Sequence, residues 1–117
     1  MAATQSLKVS AAPNAQATVP EAITATGSVG LPSTISTFAQ FGGAPCSAQA
    51  GDEAARGAPL VDQRVVNGAF SFTASFTPAS AGTYFICTYL DGSAGGNTEH
   101  QNQQFAISVG PPPPAPT

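Results

Sequence analysis

Apolar and polar residues alternate most clearly in the segment AFSFTASFT, where Phe70, Phe72, Ala74 and Phe76 point one way and Ser and Thr the other. A sustained period of two marks a half-buried β-strand. The segment QFAISV repeats it with Phe105, Ile107 and Val109, and SLKVSA with Leu7 and Val9, so both are expected to have one wet face. In ATVPEAITATG, Val19, Ile23 and Ala25 are in phase, with Pro20 at a strand entrance or edge. STISTFAQF puts Ile35 and Phe41 on one face and Phe38 on the other, which suggests cover on both sides. LVDQRVVNG predicts a shorter strand whose Asn67-Gly68 end signals a two-residue hairpin into the Phe-rich strand. GTYFICTYL brings the count to seven. Gly, Pro or Asn punctuates the chain between these segments, the spacing of a β-sandwich or barrel. The expected core is Leu7, Val9, Ile23, Ile35, Phe70, Phe72, Phe76, Tyr84, Ile86, Leu90, Phe105 and Ile107.

One segment breaks the pattern. Residues 46–57, CSAQAGDEAARG, contain no β-branched side chain and are rich in Ala. A short helix between the third and fourth strands is expected there, with Ser47 capping its start and Gly57 its end. Gly51 weakens its middle by about 1 kcal/mol relative to Ala, and a loop is the competing reading.

The 117 residues suffice for one domain with a real core. Residues 1–110 are read as that domain. Residues 111–117, at the end of GPPPPAPT, are read as an extended polyproline linker, with a merely disordered end as the alternative. Charged residues make up 8% of the chain, against about 25% in average soluble proteins, so hydroxyls and amides must solvate much of the surface. With Lys8, Arg56 and Arg64 as the only bases, no basic stripe exists to neutralise a phosphate backbone, which argues against nucleic acid. No apolar run is long enough for a membrane-spanning helix, so no membrane insertion is expected. The opening MAATQS has neither the charged nor the apolar region of a signal peptide. Two cysteines with no C-x-x-C and a single His fit neither a zinc site nor a redox motif; one structural disulfide is the simplest reading and favours an oxidising compartment.

The stretch SAGTYFIC, residues 80–87, resembles the strand-F signature of immunoglobulin-like domains, in which a small-residue turn with Gly leads to Tyr and then Cys. The nearer likeness is to immunoglobulin-like modules of bacterial secreted and cell-surface proteins. The resemblance implies an all-β, seven-stranded immunoglobulin-like Greek-key sandwich, here with one short helix. It also implies a secreted or cell-surface location and a non-enzymatic structural or spacer role beside neighbouring domains of a larger protein. The chain departs from the immunoglobulin pattern at three points: Phe85 and Ile86 both separate Tyr84 from Cys87, Trp is absent, and the other cysteine follows the third strand. Alternation along the strand then puts Tyr84, Ile86, Thr88 and Leu90 on one face and Thr83, Phe85, Cys87 and Tyr89 on the other. If the first set points inward, Cys87 points outward, and a Cys46–Cys87 disulfide would draw the helix across the outer face and hide Phe85 and Tyr89.

Candidate chemistry is sparse. His100 has no accompanying nucleophile motif, so no catalytic residues and no cofactor are expected. Asp91, Glu99 and His100 could meet around DGSAGGNTEH, but calcium prefers denser oxygen ligation, and solvated loop residues are the simpler reading, with no metal. Asp52 and Glu53 read as the polar face of the helix. The loop of residues 91–98, with Asp91, Gly92, Ser93, Asn97 and Thr98, occupies the place that immunoglobulin-like binders use for recognition. It is the candidate partner-binding loop for a glycan or protein ligand, although it lacks the aromatic and Arg anchors that dominate binding energy; a passive hairpin is the alternative. A monomer is expected.

Overall fold

The computed structural model describes residues 5–42, 44–94 and 97–114, with side chains described outside 93–99. Among these residues the chain forms β1 (Gln5–Ser10), β2 (Asn14–Gln16), β3 (Glu21–Phe41), helix α1 (Ala50–Ala55), β4 (Leu60–Phe76), β5 (Gly82–Ala94) and β6 (Asn97–Gly110).

Two long strands make the sandwich. The first half of β3 lies between β1 and the second half of β4, with Leu7 opposite Gly27 and Phe72 opposite Ala25. Its second half lies between β5 and the first half of β4, with Ile35 opposite both Leu90 and Arg64. The hydrogen-bonded order β4, β3, β5, β6 therefore builds one layer, and β1, β3, β4 the other, so the sheet curls over on itself. The bend sits where three residues of β3 (30–32) oppose a single residue of β4, Asn67. Extra residues on one strand bend a ladder and increase its twist.

Each of the seven expected segments contains strand, but residues 17–20 of ATVPEAITATG form a turn with Thr18 at φ 69°, which leaves Val19 outside β3 and 37% exposed, and two pairs of segments are continuous. Asn67-Gly68 is not a hairpin: Gly68 pairs with Val29 and the strand runs on through it. Gly68 has φ 72°, a left-handed backbone that a side chain disfavours, and here that freedom bends the strand instead of reversing it. The short β2, parallel to the end of β6, was not anticipated.

The two layers enclose a core in two adjoining parts. Ile23, Ala39, Tyr84, Ile86, Ile107 and Val109 pack in one, and Leu7, Val29, Ile35, Val66 and Leu90 in the other. Of the expected core, Val9, Phe70, Phe72, Phe76 and Phe105 are only half-buried and rim these clusters. The reason is topological. Strand β4 is an outer strand of both layers, so its Phe rings close the side of the sandwich and keep an edge in water.

Helix α1 forms at the expected place but is shorter than residues 46–57. Its N-cap is Gln49, with no side-chain cap bond, instead of Ser47, whose N–H is taken by Glu53. The expected end holds: Gly57 has φ 84° and its N–H bonds the Ala54 carbonyl.

Candidate functional site

The sheet face away from the core is where the chain spends its unusual residues. Tyr84, Ile86, Thr88 and Leu90 point inward, and Cys87 and Tyr89 outward, yet all six are buried. The cover comes from the segment between β3 and β4. Cys46 and Cys87 form a disulfide with Cα atoms 5.8 Å apart, pinning the start of this segment to the middle of β5. Cys87, Tyr89 and Phe38 form a small apolar cluster, with Cys46, Ala50, Ala58 and Phe85 packed against it. Phe38 and Tyr89 meet edge to face at 5.9 Å, as the ring quadrupoles favour.

Polar bonds fix the flap along its length. Tyr89 donates its hydroxyl to the Ser47 carbonyl at 2.6 Å, and Asn102 donates its amide to the Ala48 carbonyl at 2.9 Å. The Cys46 N–H donates to Gln104 Oε1 at 2.8 Å. Arg56 donates to Gln40 Oε1 and to the Pro45 carbonyl, and the Gln40 amide donates to the Ala44 carbonyl. Glu53, read from sequence as solvated, is 0% exposed: it accepts the Ser47 N–H at 2.9 Å, and one oxygen lies 3.4 Å from the Cys87 sulfur. Arg56 lies 3.9 Å from its other oxygen. Burial, with the Glu53 charge beside it, pushes the Tyr89 hydroxyl up to about 12. The sequence signal for Glu53 was its position in the segment carrying Cys46; for Gln104 and Asn102 it was the amide run QNQQ, which carried no evident chemistry.

Beside the flap is a cleft of about 270 Å³ lined by Cys46, Ser47, Tyr89, Asn102 and Gln104 among others. Several of its polar groups already hold the flap. A more apolar groove of about 500 Å³ lies at the side of the sandwich between Phe41, Leu60, Phe76 and Tyr84, where Phe41 and Leu60 are 58% and 51% exposed.

The expected recognition loop is mostly strand. The β5–β6 ladder continues through Gly92 opposite Glu99, Ser93 opposite Thr98 and Ala94 opposite Asn97. Residues 91–94 and 97–98 of the expected loop are therefore paired strand, and residues 95–96 lie outside the described residues. Asp91 and His100 are cross-strand partners, with Oδ1 and Nδ1 2.5 Å apart. The side chains of Ser93, Asn97, Thr98 and Glu99 lie outside the described residues. Among the described residues no group of three or more His, Cys, Asp or Glu could hold a metal ion.

At the turn before β5, Tyr84 donates its hydroxyl to the Ser80 carbonyl at 3.0 Å. A Tyr near the start of the penultimate strand, here β5, bonding back to the backbone a few residues upstream matches the tyrosine corner of immunoglobulin-like sandwiches. No family model and no curated protein matches the chain. Among solved structures it is similar to the CARDB domain of a Pyrococcus furiosus protein, a structure solved in complex with di-metal ions. The TM-score is 0.60 at 11% identity, over 92% of this chain and 88% of that one. The likeness spans almost the whole of both chains, and it agrees with the tyrosine corner and the two-layer topology: the fold is an immunoglobulin-like β-sandwich.

Proposed function

We propose that the chain is a non-enzymatic structural module of a larger secreted or cell-surface protein, holding neighbouring domains apart. The observation that carries this reading is the internal staple. The disulfide and the polar bonds around it are used to fix the chain to itself across the outer sheet face, which is an investment in rigidity. Strand direction adds to it. Gln5, at the start of β1, is bonded by Gln101, and β6 runs on from there to Gly110, so the chain enters and leaves the sandwich roughly 30 Å apart along one strand. The prolines that follow extend that separation. The disulfide supports an oxidising compartment.

A glycan and cell-surface protein array probed with the isolated chain tests the reading. No saturable binder is expected. A partner with a micromolar dissociation constant that disappears when residues 91–98 are shortened would replace it with recognition of carbohydrate or protein through the β5–β6 hairpin.

A further inference from the structure

The sandwich treats its open strand edges unequally. Along β1 the edge is filled by side chains from β6: Gln103 accepts the Val9 N–H at 3.1 Å and donates to the Leu7 carbonyl at 2.5 Å, while Gln101 donates to the Gln5 carbonyl at 3.4 Å. A carboxamide offers the same donor and acceptor as a peptide group, so these glutamines stand in for a neighbouring strand. The edge strand β2 is three residues long. By contrast β4 has seventeen residues and pairs only with β3 among the described residues. Along this strand Val65 is 73% exposed, and the charges are one of each sign, Asp62 and Arg64. A long edge with so little charge is a template for another strand.

The sequence of that edge names the strand. Residues 61–65 read Val-Asp-Gln-Arg-Val, the same in both directions except that the charge changes sign. We propose that β4 pairs antiparallel with β4 of a second copy of this chain, about a two-fold axis through Gln63. In this register Asp62 of each copy faces Arg64 of the other, and Val61 faces Val65, so both charges are answered and the exposed Val65 gains an apolar neighbour. Directly opposed unlike charges stabilise a strand pair and like charges destabilise it. Moving the axis by one residue sets Asp62 against Asp62 or Arg64 against Arg64, which selects the register. Asp62 and Arg64 already bond within the chain at 2.9 and 3.1 Å on one face of the strand, so pairing joins two such pairs into a neutral square of four charges. The bulge at Val61 and the bend at Gly68 limit the run, which makes the dimer reversible and concentration-dependent. The interface is isologous and closes after two copies, as a two-fold contact must.

The inference does not depend on the structural-module reading: arrays of foreign ligands test that one, and self-association tests this one. Sedimentation equilibrium of the whole chain should show mass rising from 11.6 kDa toward twice that value as concentration approaches about 1 mM. Asp62→Arg and Arg64→Asp, each alone, should weaken self-association roughly tenfold or more, because both symmetric charge pairs become repulsive. Mixed in equal amounts, these two variants should associate with each other, one supplying two bases and the other two acids. The double variant Asp62→Arg/Arg64→Asp should dimerise like the native chain. Circular dichroism verifies that each variant is folded. A native chain that stays at monomer mass throughout the series, which is the sequence-level expectation, overturns the proposal; so does an equal mixture of folded single variants that shows no association.

Discussion

Replacing Cys46 and Cys87 together by Ser removes the one covalent link between the flap and the sheet. The two residues are 41 apart in sequence. In the chain-entropy model, opening a loop of that length returns about 13 cal/mol/K to the unfolded chain, or about 4 kcal/mol at room temperature. That is a large share of a stability of about 5–15 kcal/mol, so the variant should be folded but much closer to its unfolding midpoint. The local consequence is smaller than the global one. The flap keeps its bonds from Tyr89, Asn102 and Gln104 and its apolar contact with Phe38, so it should stay in place until the whole domain unfolds.

Urea unfolding of the oxidised chain and of the variant, with amide exchange resolved along the sequence, separates these statements. The expected result is a lower midpoint, a somewhat larger slope because the unlinked chain expands further when unfolded, and retained protection at residues 46–58 in the folded state. A stability loss below about 1 kcal/mol would refute the entropy argument. Fast exchange confined to residues 46–58, with the rest unchanged, would show that the bond holds only the flap and that the polar contacts there are weak.

Two further outcomes follow from the same contacts. Tyr84→Phe removes the hydroxyl that bonds Ser80 while keeping the ring packed against Phe41 and Phe76; thermal and urea unfolding should show a loss of about 1–2 kcal/mol, and no loss would mean the corner bond is replaced by water at no cost. Tyr89 releases its proton near pH 10 when unfolded and near about 12 when folded, so the native state holds the proton longer. Its contribution is complete below pH about 10 and is lost as pH rises through about 12, on the order of 1–3 kcal/mol; urea midpoints above and below that window should fall in the native chain and much less in Tyr89→Phe.

How far the sequence could be read depended on whether a signal was local. The alternation in GTYFICTYL assigned both faces of β5 correctly, because side-chain direction along a strand is fixed by the backbone; the outward Cys87 and its bond to Cys46 followed from it. Asn67-Gly68 misled because the same dipeptide that permits a two-residue turn also permits a bend, and the choice lies with the strand opposite, not with the dipeptide. The half-burial of Phe70, Phe72 and Phe76 was invisible for a related reason: alternation tells which way a ring points but not whether its strand is flanked on both sides. Arg64 makes the point directly, since its guanidinium lies 3.9 Å over the Phe72 ring and covers it where a neighbouring strand would. The glutamines of β6 were unreadable as site residues because their partners are backbone groups far away in sequence, and Glu53 because its burial is against Cys87 of a distant strand.

The scarcity of charge links these features. Sandwich proteins commonly protect strand edges with lysine or with inward-pointing charge. This chain has Lys8 within β1, but the edge bonds there come from Gln101 and Gln103, whose amides satisfy the β1 backbone without introducing a charge. Amides achieve this only when a second strand holds them at the right height, which requires β1 of one layer to lie beside β6 of the other. Among the described residues β4 pairs only with β3, and a groove lined by Leu60, Val61, Ser75 and Phe76 opens at its two ends. Protection by neutral side chains is therefore seen on the β1 flank of the sandwich. On the β4 flank Asp62 and Arg64 are the only charges in β4, and being opposite and two apart they neutralise each other instead of repelling an approaching strand. The edge consequently has the composition of a contact surface, and its selectivity must come from the arrangement of those two charges about Gln63.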